Sequence, residues 1–313
     1  MLREELTRWV GDVDAFRTDH WRSGPAVFRP GAAGPSEPLT LDEIDAALAG
    51  GLLRTPHVEL ARAGDPVHSA TYTRPRTVSG VTGPGYADPD RIRSLLAEGA
   101  TLVLRNVEHW HPRTRALTTR LQDELGRRVE AFHFVTPPGA QGLDLHRDDA
   151  DVLLLQVTGS KRWTVHGGPT GDADWAPGAV ADAGPALLET TLRAGEVLYI
   201  PRAFAHRAVG GEGLSSHVSL TIREVGAREL FRALQHLLLD GLRLPARPLD
   251  DAALQTAGEQ LLRRFRQRLP DLSAADLLAF ARDAQRAEGD VPGLGASPGI
   301  AALAERLAAG ASE

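Results

Sequence analysis

Residues 136–165 read TPPGAQGLDLHRDDADVLLLQVTGSKRWTV. A Pro-Pro-Gly turn leads to His146-Arg147-Asp148, then to an apolar, β-rich run over 151–157, and a Thr-Gly-Ser turn leads to a second strand that starts at Lys161. In an extended segment, residues i and i+2 point to the same face, so His146 and Asp148 can reach one ion. Asp149 is the alternative carboxylate, and its parity sends it to the opposite face. A second histidine, His206, closes the stretch GEVLYIPRAFAH at 195–206, after a Gly-Glu turn, an apolar strand and a proline. Two histidines and one carboxylate on a β scaffold make a facial triad that suits non-haem Fe(II) and leaves three coordination positions open.

Working outward, short apolar and β-branched runs alternate with Gly, Pro and Asp turns from 129 to 222: EAFHFVTP, DVLLLQV, KRWTVHG, LLETTL, EVLYIP and SSHVSLTI. Regular short strands of this kind predict a sandwich or barrel, and a double-sheet jelly roll of the cupin type is the natural member of that set. The Gly/Asp/Pro-rich segment 167–184 reads as a surface loop between strands that could border the site.

Helices flank the strands on both sides. The spacing of Leu6, Val10, Val13 and Phe16 predicts one amphipathic helix over 3–21, followed by a strand at 25–29. Thr40, with Glu43 three residues later, predicts a capped helix at 41–49. A strand is expected at 57–61, irregular chain at 63–88, a helix at 88–98 capped by Asp88, a strand at 101–107 and a helix at 112–125. After 224 the strands stop. Helical spacing predicts elements at 227–242, 252–269, 274–286 and 300–309. The fold class expected is α+β: a double-stranded β-helix with flanking helices, residues 1–225, followed by an all-helical module, residues 226–313.

Composition excludes several other classes. The 313 residues contain no cysteine, which removes disulfides, thiolate metal sites and a cysteine nucleophile. Any metal must be held by His and carboxylate. A net charge of −6 argues against a general nucleic-acid binder, which needs clustered Lys and Arg. The N-terminus lacks the apolar core of a secretory signal, and no apolar run is long enough to span a membrane, so a cytoplasmic protein is the default expectation. No Gly-rich phosphate loop, GxSxG elbow or HExxH motif occurs.

Four segments in order, TPPGAQGLDLHRDD, LLLQVTGSKRWTV, GEVLYIPRAFAHRA and SSHVSLTI, resemble the JmjC-type cupins of the ribosomal oxygenase group. The likeness runs over about the first 225 residues. It implies an Fe(II)- and 2-oxoglutarate-dependent hydroxylase acting on a protein or peptide side chain, with His146, Asp148 and His206 as metal ligands. It also implies that Lys161 binds the distal carboxylate of 2-oxoglutarate and that Thr221 supports the same carboxylate. His217 would be a packing or outer-sphere residue. Gln141, Arg147 and Arg202 are candidates to face substrate.

In the group, the C-terminal helices form a homodimerisation module followed by a winged helix, and no strand pair follows the helices here. The group often carries Asn and Tyr, two residues apart, on the strand before Thr-Pro-Pro. Those positions are Phe132 and Phe134, neither of which can donate a hydrogen bond. Either the co-substrate is held differently, with help from His133 or Thr136, or its affinity is weak. Two other readings stay open: an oxygenase of the same fold acting on a small metabolite, and a non-catalytic metal-binding cupin dimer.

Overall fold

A computed structural model of the protein describes residues 4–31, 34–35, 39–169, 176–243 and 248–289. In chain order the elements are α1 (Glu4–Val10), α2 (Val13–Ala15), a π-turn at Phe16–His20, β1 (Ala26–Phe28), α3 (Leu41–Ala49), β2 (Val58–Arg62), β3 (Asp65–Pro66), β4 (Thr73–Val78), β5 (Val81–Ala87), α4 (Pro89–Ala97), β6 (Thr101–Leu104) and α5 (Pro112–Leu125). The roll follows as β7 (Val129–Thr136), β8 (His146–Arg147), β9 (Asp151–Thr158), β10 (Ser160–His166), β11 (Gly178–Ala179), β12 (Ala186–Arg193), β13 (Val197–Ile200), β14 (His206–Gly210) and β15 (Ser215–Ile222). The chain ends in α6 (Ala227–Leu239), α7 (Asp251–Arg268) and α8 (Ala274–Gly289).

The strands build an eight-stranded sheet in the order β1-β13-β9-β15-β7-β6-β2-β3, a five-stranded sheet in the order β11-β8-β14-β10-β12, and a separate β4-β5 hairpin. Every pairing between named strands is antiparallel. The two large sheets face each other as a jelly roll, the double-stranded β-helix expected.

Alternation along the strands sorts the side chains into two layers. On one face of the eight-stranded sheet, Leu102, Leu104, Val135, Leu153, Val218 and Leu220 pack under Leu6, Trp9, Ile44, Ile92, Leu117 and Leu121 of the helices. On the other face, Val152, Leu154, Leu198 and Ile200 meet Trp163, Val165, Leu192 and Ala208 of the smaller sheet. The turn between β9 and β10 requires glycine. Gly159 has φ +66°, and a Cβ there would lie 2.4 Å from the Leu214 carbonyl oxygen.

Three local expectations are corrected. The helix expected over 3–21 is broken. Gly11 adopts φ +75°, Asp12 caps a new start by accepting from the N–H groups of Asp14 and Ala15, and the last turn is π. Glycine terminates helices in this way because it alone enters the left-handed region without strain. Residues 63–88, expected to be irregular, contain β3 and the β4-β5 hairpin. Ser79 (φ 49°) and Gly80 (φ +81°) form its two-residue turn, and positive φ at both central positions is the geometry that matches strand twist. The strand expected to reach 107 ends at Leu104, and Asn106 adopts the left-handed conformation.

The capping box at α3 forms as expected: Thr40 Oγ1 accepts from Glu43 N–H at 3.3 Å, and Glu43 Oε2 accepts from Thr40 N–H at 2.9 Å. Thr40→Ala is expected to cost about 1 kcal/mol, read as a lower urea midpoint with unchanged slope.

The chain divides into two units, Met1–Glu224 and Val225–Glu313. In the second, Val225, Ala233 and Ala281 form a small core with Leu230, Leu278 and Phe280 against it. Phe231, Leu254, Leu262 and Leu269 of this unit are each more than half exposed. The helix expected at 300–309, and the chain where a winged helix would follow, lie outside the described residues. Among the described residues no helix is long and apolar enough to cross a membrane.

Candidate metal centre and its cavity

β8 and β14 are neighbours in the five-stranded sheet, and their register sets His146 opposite His206. The two rings lie 4.3 Å apart, tilted by 56°. Asp148 follows β8 directly. Its Oδ1 lies 3.8 Å from His146 Nε2 and its Oδ2 3.6 Å from His206 Nε2. One ligand atom from each of the three lies within 4.8 Å of the others.

The backbone sets the tautomers. His146 Nδ1 lies 2.7 Å from the Asp144 carbonyl, and His206 Nδ1 lies 3.0 Å from the Phe204 carbonyl. A carbonyl only accepts, so each Nδ1 carries a proton and Nε2 is the nitrogen left to face Asp148. Orientation of a ligating imidazole through its other nitrogen is the usual outer-sphere arrangement of metal sites. His206 is only 5 % exposed. Burial, and then the neighbouring His146, push its pKa down to about 4 against the opposing pull of Asp148. It is therefore neutral at physiological pH. Two imidazole nitrogens and a carboxylate, with ligand atoms all within 4.8 Å of one another, fit a divalent first-row metal.

Asp149 is not part of the group. It is ion-paired with Arg202, as the parity argument requires. That pair also commits Arg202, a candidate for substrate contact. Gln141 likewise turns inward within its own loop and donates to Asp144 Oδ1 at 2.8 Å. Arg147 sits opposite Gly178 on β11.

The triad opens into a cavity of about 650 Å3 between the two sheets, lined by Phe132, Phe134, Lys161, Trp163 and His217, among others. Lys161 is 4 % exposed, and its Nζ donates to Thr136 Oγ1 at 3.0 Å. Thr136 in turn accepts from Thr101 Oγ1 at 3.2 Å. Among the described residues no carboxylate lies within ion-pair distance of Lys161. Burial alone lowers its pKa to about 7. A buried cation without a partner is costly, so this end of the cavity is built for an anion.

The structure separates two residues that the sequence reading joined. Thr136 pairs with Ser215, whereas Thr221 pairs with Glu130, six residues further along β7. At about 3.3 Å per residue the two threonines lie roughly 20 Å apart, so Thr221 lines the cavity but does not share the anion that Lys161 would hold. His133 is also misplaced for that role. It is fully buried on the helix-covered face, where Nε2 bonds Ser216 Oγ at 2.6 Å.

The residue that does stand beside Lys161 is His217. Its ring stacks on Phe134 at 4.8 Å with planes 4° apart and meets Trp163 edge-on at 5.4 Å. Lys161 Nζ lies 5.9 Å from the Phe134 ring centre and 5.7 Å from that of Trp163. Burial first, and then the Lys161 charge, hold His217 well below the usual imidazole pKa. The alternation of 161, 163 and 165 on β10 was the available signal for Trp163. The signal for His217 would have been its cross-strand pairing with Phe134, which a sequence does not display.

With this geometry in place, the chain can be compared with known proteins. Residues 109–230 match the JmjC domain family. All three triad residues and Lys161 fall inside the matched stretch. Ribosomal oxygenase 1 of Gallus gallus is 28 % identical over 215 residues, which is 65 % of this chain and 34 % of that protein. The bifunctional lysine-specific demethylase and histidyl-hydroxylase NO66 of Drosophila simulans is 32 % identical over 145 residues, 44 % of this chain and 17 % of that protein. The aligned part of the chain thus spans about a third of the first relative and less of the second. Among solved structures, the X-ray structure of Escherichia coli YcfD superposes with a TM-score of 0.55 at 21 % identity, covering 82 % of this chain and 68 % of that one. A structure of the same ribosomal oxygenase in complex with cobalt and 2-oxoglutarate gives 0.53 at 21 % identity, covering 81 % and 66 %. These superpositions show a shared fold.

Proposed function

We propose that the protein is an Fe(II)- and 2-oxoglutarate-dependent oxygenase that hydroxylates a protein or peptide side chain. The observation that carries this reading is a single cavity with two oriented imidazoles and a carboxylate at its mouth and an unpaired buried lysine at its depth. The relatives named ribosomal oxygenase and histidyl-hydroxylase, and the cobalt and 2-oxoglutarate complex of the E. coli protein, support it.

In this reading His146, Asp148 and His206 hold the metal. When bound, Fe(II) supplies dioxygen activation coupled to oxidative decarboxylation of 2-oxoglutarate to succinate and carbon dioxide, the second oxygen atom entering the substrate as a hydroxyl. The chain's own part is binding and orientation. Lys161 supplies the positive charge for the distal carboxylate, and Thr136 fixes the direction of its Nζ. Phe134 and Trp163 wall that end of the cavity and exclude water, which strengthens the charge interaction. The asymmetry of charge, a cation at depth and a carboxylate in the triad, orients a dicarboxylate end to end. Phe132 and Phe134 remove two hydrogen-bonding positions and favour the second reading, a metal-binding cupin that does not turn over 2-oxoglutarate. We also propose that a second copy of the chain covers Phe231, Leu254, Leu262 and Leu269 of the helical unit.

Anaerobic loading with Fe(II) and 2-oxoglutarate, followed by air, tests the assignment. Succinate release that disappears in Lys161→Ala is the expected result. Metal uptake without any response to 2-oxoglutarate would overturn it in favour of the non-catalytic reading.

A further inference from the structure

A carboxylate outside the triad connects both turns that carry it. Asp151, three residues beyond Asp148, is fully buried. Its Oδ1 accepts from the Tyr199 hydroxyl at 2.8 Å and from the Arg202 backbone N–H at 3.1 Å. Its Oδ2 accepts from Arg22 Nε at 3.2 Å. Arg202 opens the turn in which Ala203, at φ 70°, donates its N–H to the Asp148 carbonyl at 3.0 Å. The next residue, Phe204, presents the carbonyl that orients His206 Nδ1. The position of the Asp148 backbone and the ring orientation of His206 therefore both depend on where the 201–204 turn sits. Asp151 ties the start of that turn to β9.

The tie is reinforced from far away in sequence. Arg22 also donates its backbone N–H to the Tyr199 hydroxyl at 2.9 Å and its Nη2 to Glu224 at 2.9 Å. Trp21 stacks on the Tyr199 ring at 5.8 Å. Tyr199 thus accepts from one partner and donates to Asp151, and both carboxylate oxygens of Asp151 accept a hydrogen bond. A fully satisfied buried network of this kind rigidifies what it touches.

We propose that Asp151 is the positioning residue of the metal centre: by accepting from Tyr199 and from the Arg202 N–H it locks the 201–204 turn, and through it sets Asp148 and His206 in binding geometry. Arg22, from the N-terminal segment, neutralises and anchors that carboxylate. The inference rests on the metal reading proposed above.

Co(II) is the probe, titrated into the full-length apo protein at low temperature, with dissociation constant and visible absorption spectrum as readouts and thermal unfolding of the apo protein as the control. Asp151→Ala is expected to weaken Co(II) by about 10–100-fold, the range for outer-sphere partners, and to change the spectrum at saturation. Asp151→Asn keeps an oxygen for Tyr199 and Arg202 but turns an NH2 toward the Arg22 Nε donor, and is expected to lose less affinity than Asp151→Ala. Tyr199→Phe, which removes one hydroxyl and leaves the ring packed, serves if Asp151→Ala does not fold, with an expected loss of several-fold. Lower unfolding temperatures with unchanged Co(II) affinity and spectrum in both Asp151→Ala and Tyr199→Phe would reduce Asp151 to a structural role and overturn the proposal. If the parent protein binds no Co(II) that Asp148→Ala abolishes, the metal reading itself fails and the positioning role falls with it.

Discussion

His146→Ala and Asp148→Ala are each expected to weaken Fe(II) or Co(II) binding by more than about 100-fold, beyond the 10–100-fold that accompanies loss of an outer-sphere partner, and to abolish succinate formation. A three-ligand site that loses one donor keeps only two protein bonds, and the remaining positions go to water. The fold is expected to survive both changes. Neither side chain belongs to the core clusters that hold the roll together, and the Asp148 side chain is 42 % exposed. Removing Asp148 also leaves both neighbouring imidazoles held, because each Nδ1–H still donates to a backbone carbonyl. Metal titration beside a circular dichroism melt of the apo protein separates the two effects. Full metal affinity in both variants would refute the triad.

The parts of the site that could be read from the chain are those fixed by short-range periodicity. His146 and Asp148 share a face because they are two apart in extended chain, and Asp149 leaves it for the same reason. The jelly roll was legible because short apolar and β-branched runs, among them those of β7, β9, β10 and β15, alternate with Gly, Pro and Asp turns. What escaped depends on register between distant strands. Thr221 and Thr136 lie on adjacent strands, but the pairing of Thr136 with Ser215 places them at opposite ends of the cavity. His217 gains its place beside Lys161 by crossing to Phe134. The contact between Arg22 and Asp151 joins residues 129 apart in sequence. At the local level, a left-handed Gly11 divided an otherwise continuous helical pattern, and the Ser79-Gly80 turn made a hairpin from chain whose Gly83-Pro84-Gly85 run reads as irregular.

Lys161→Met is expected to separate ligand binding from folding in opposite directions. With its pKa lowered from 10.5 to about 7 by burial, the lysine of the folded, ligand-free protein binds fewer protons than in the unfolded chain between about pH 7 and 10.5. This group therefore destabilises the fold most below pH 7, and its contribution to stability rises with pH across that window. Methionine carries no such cost and fills similar volume, so the apo variant is expected to melt higher than the parent at pH 7 and to lose that part of the pH slope. Binding of 2-oxoglutarate runs the other way. The dianion requires the protonated lysine, so affinity is expected to be flat below about pH 7 and to fall about tenfold per unit above it as each binding event takes up one proton. Removing the cation leaves the distal carboxylate buried and unpaired. Truncating one partner of such a pair costs about 2–5 kcal/mol, which corresponds to a loss of roughly 30-fold or more in affinity. Calorimetric titration of the metal-loaded protein from pH 6 to 9, with thermal melts of the apo forms, reads both effects. A pH-independent affinity, or a Lys161→Met protein that binds 2-oxoglutarate as the parent does, would show that the lysine does not hold the co-substrate and that the cavity takes its anion elsewhere.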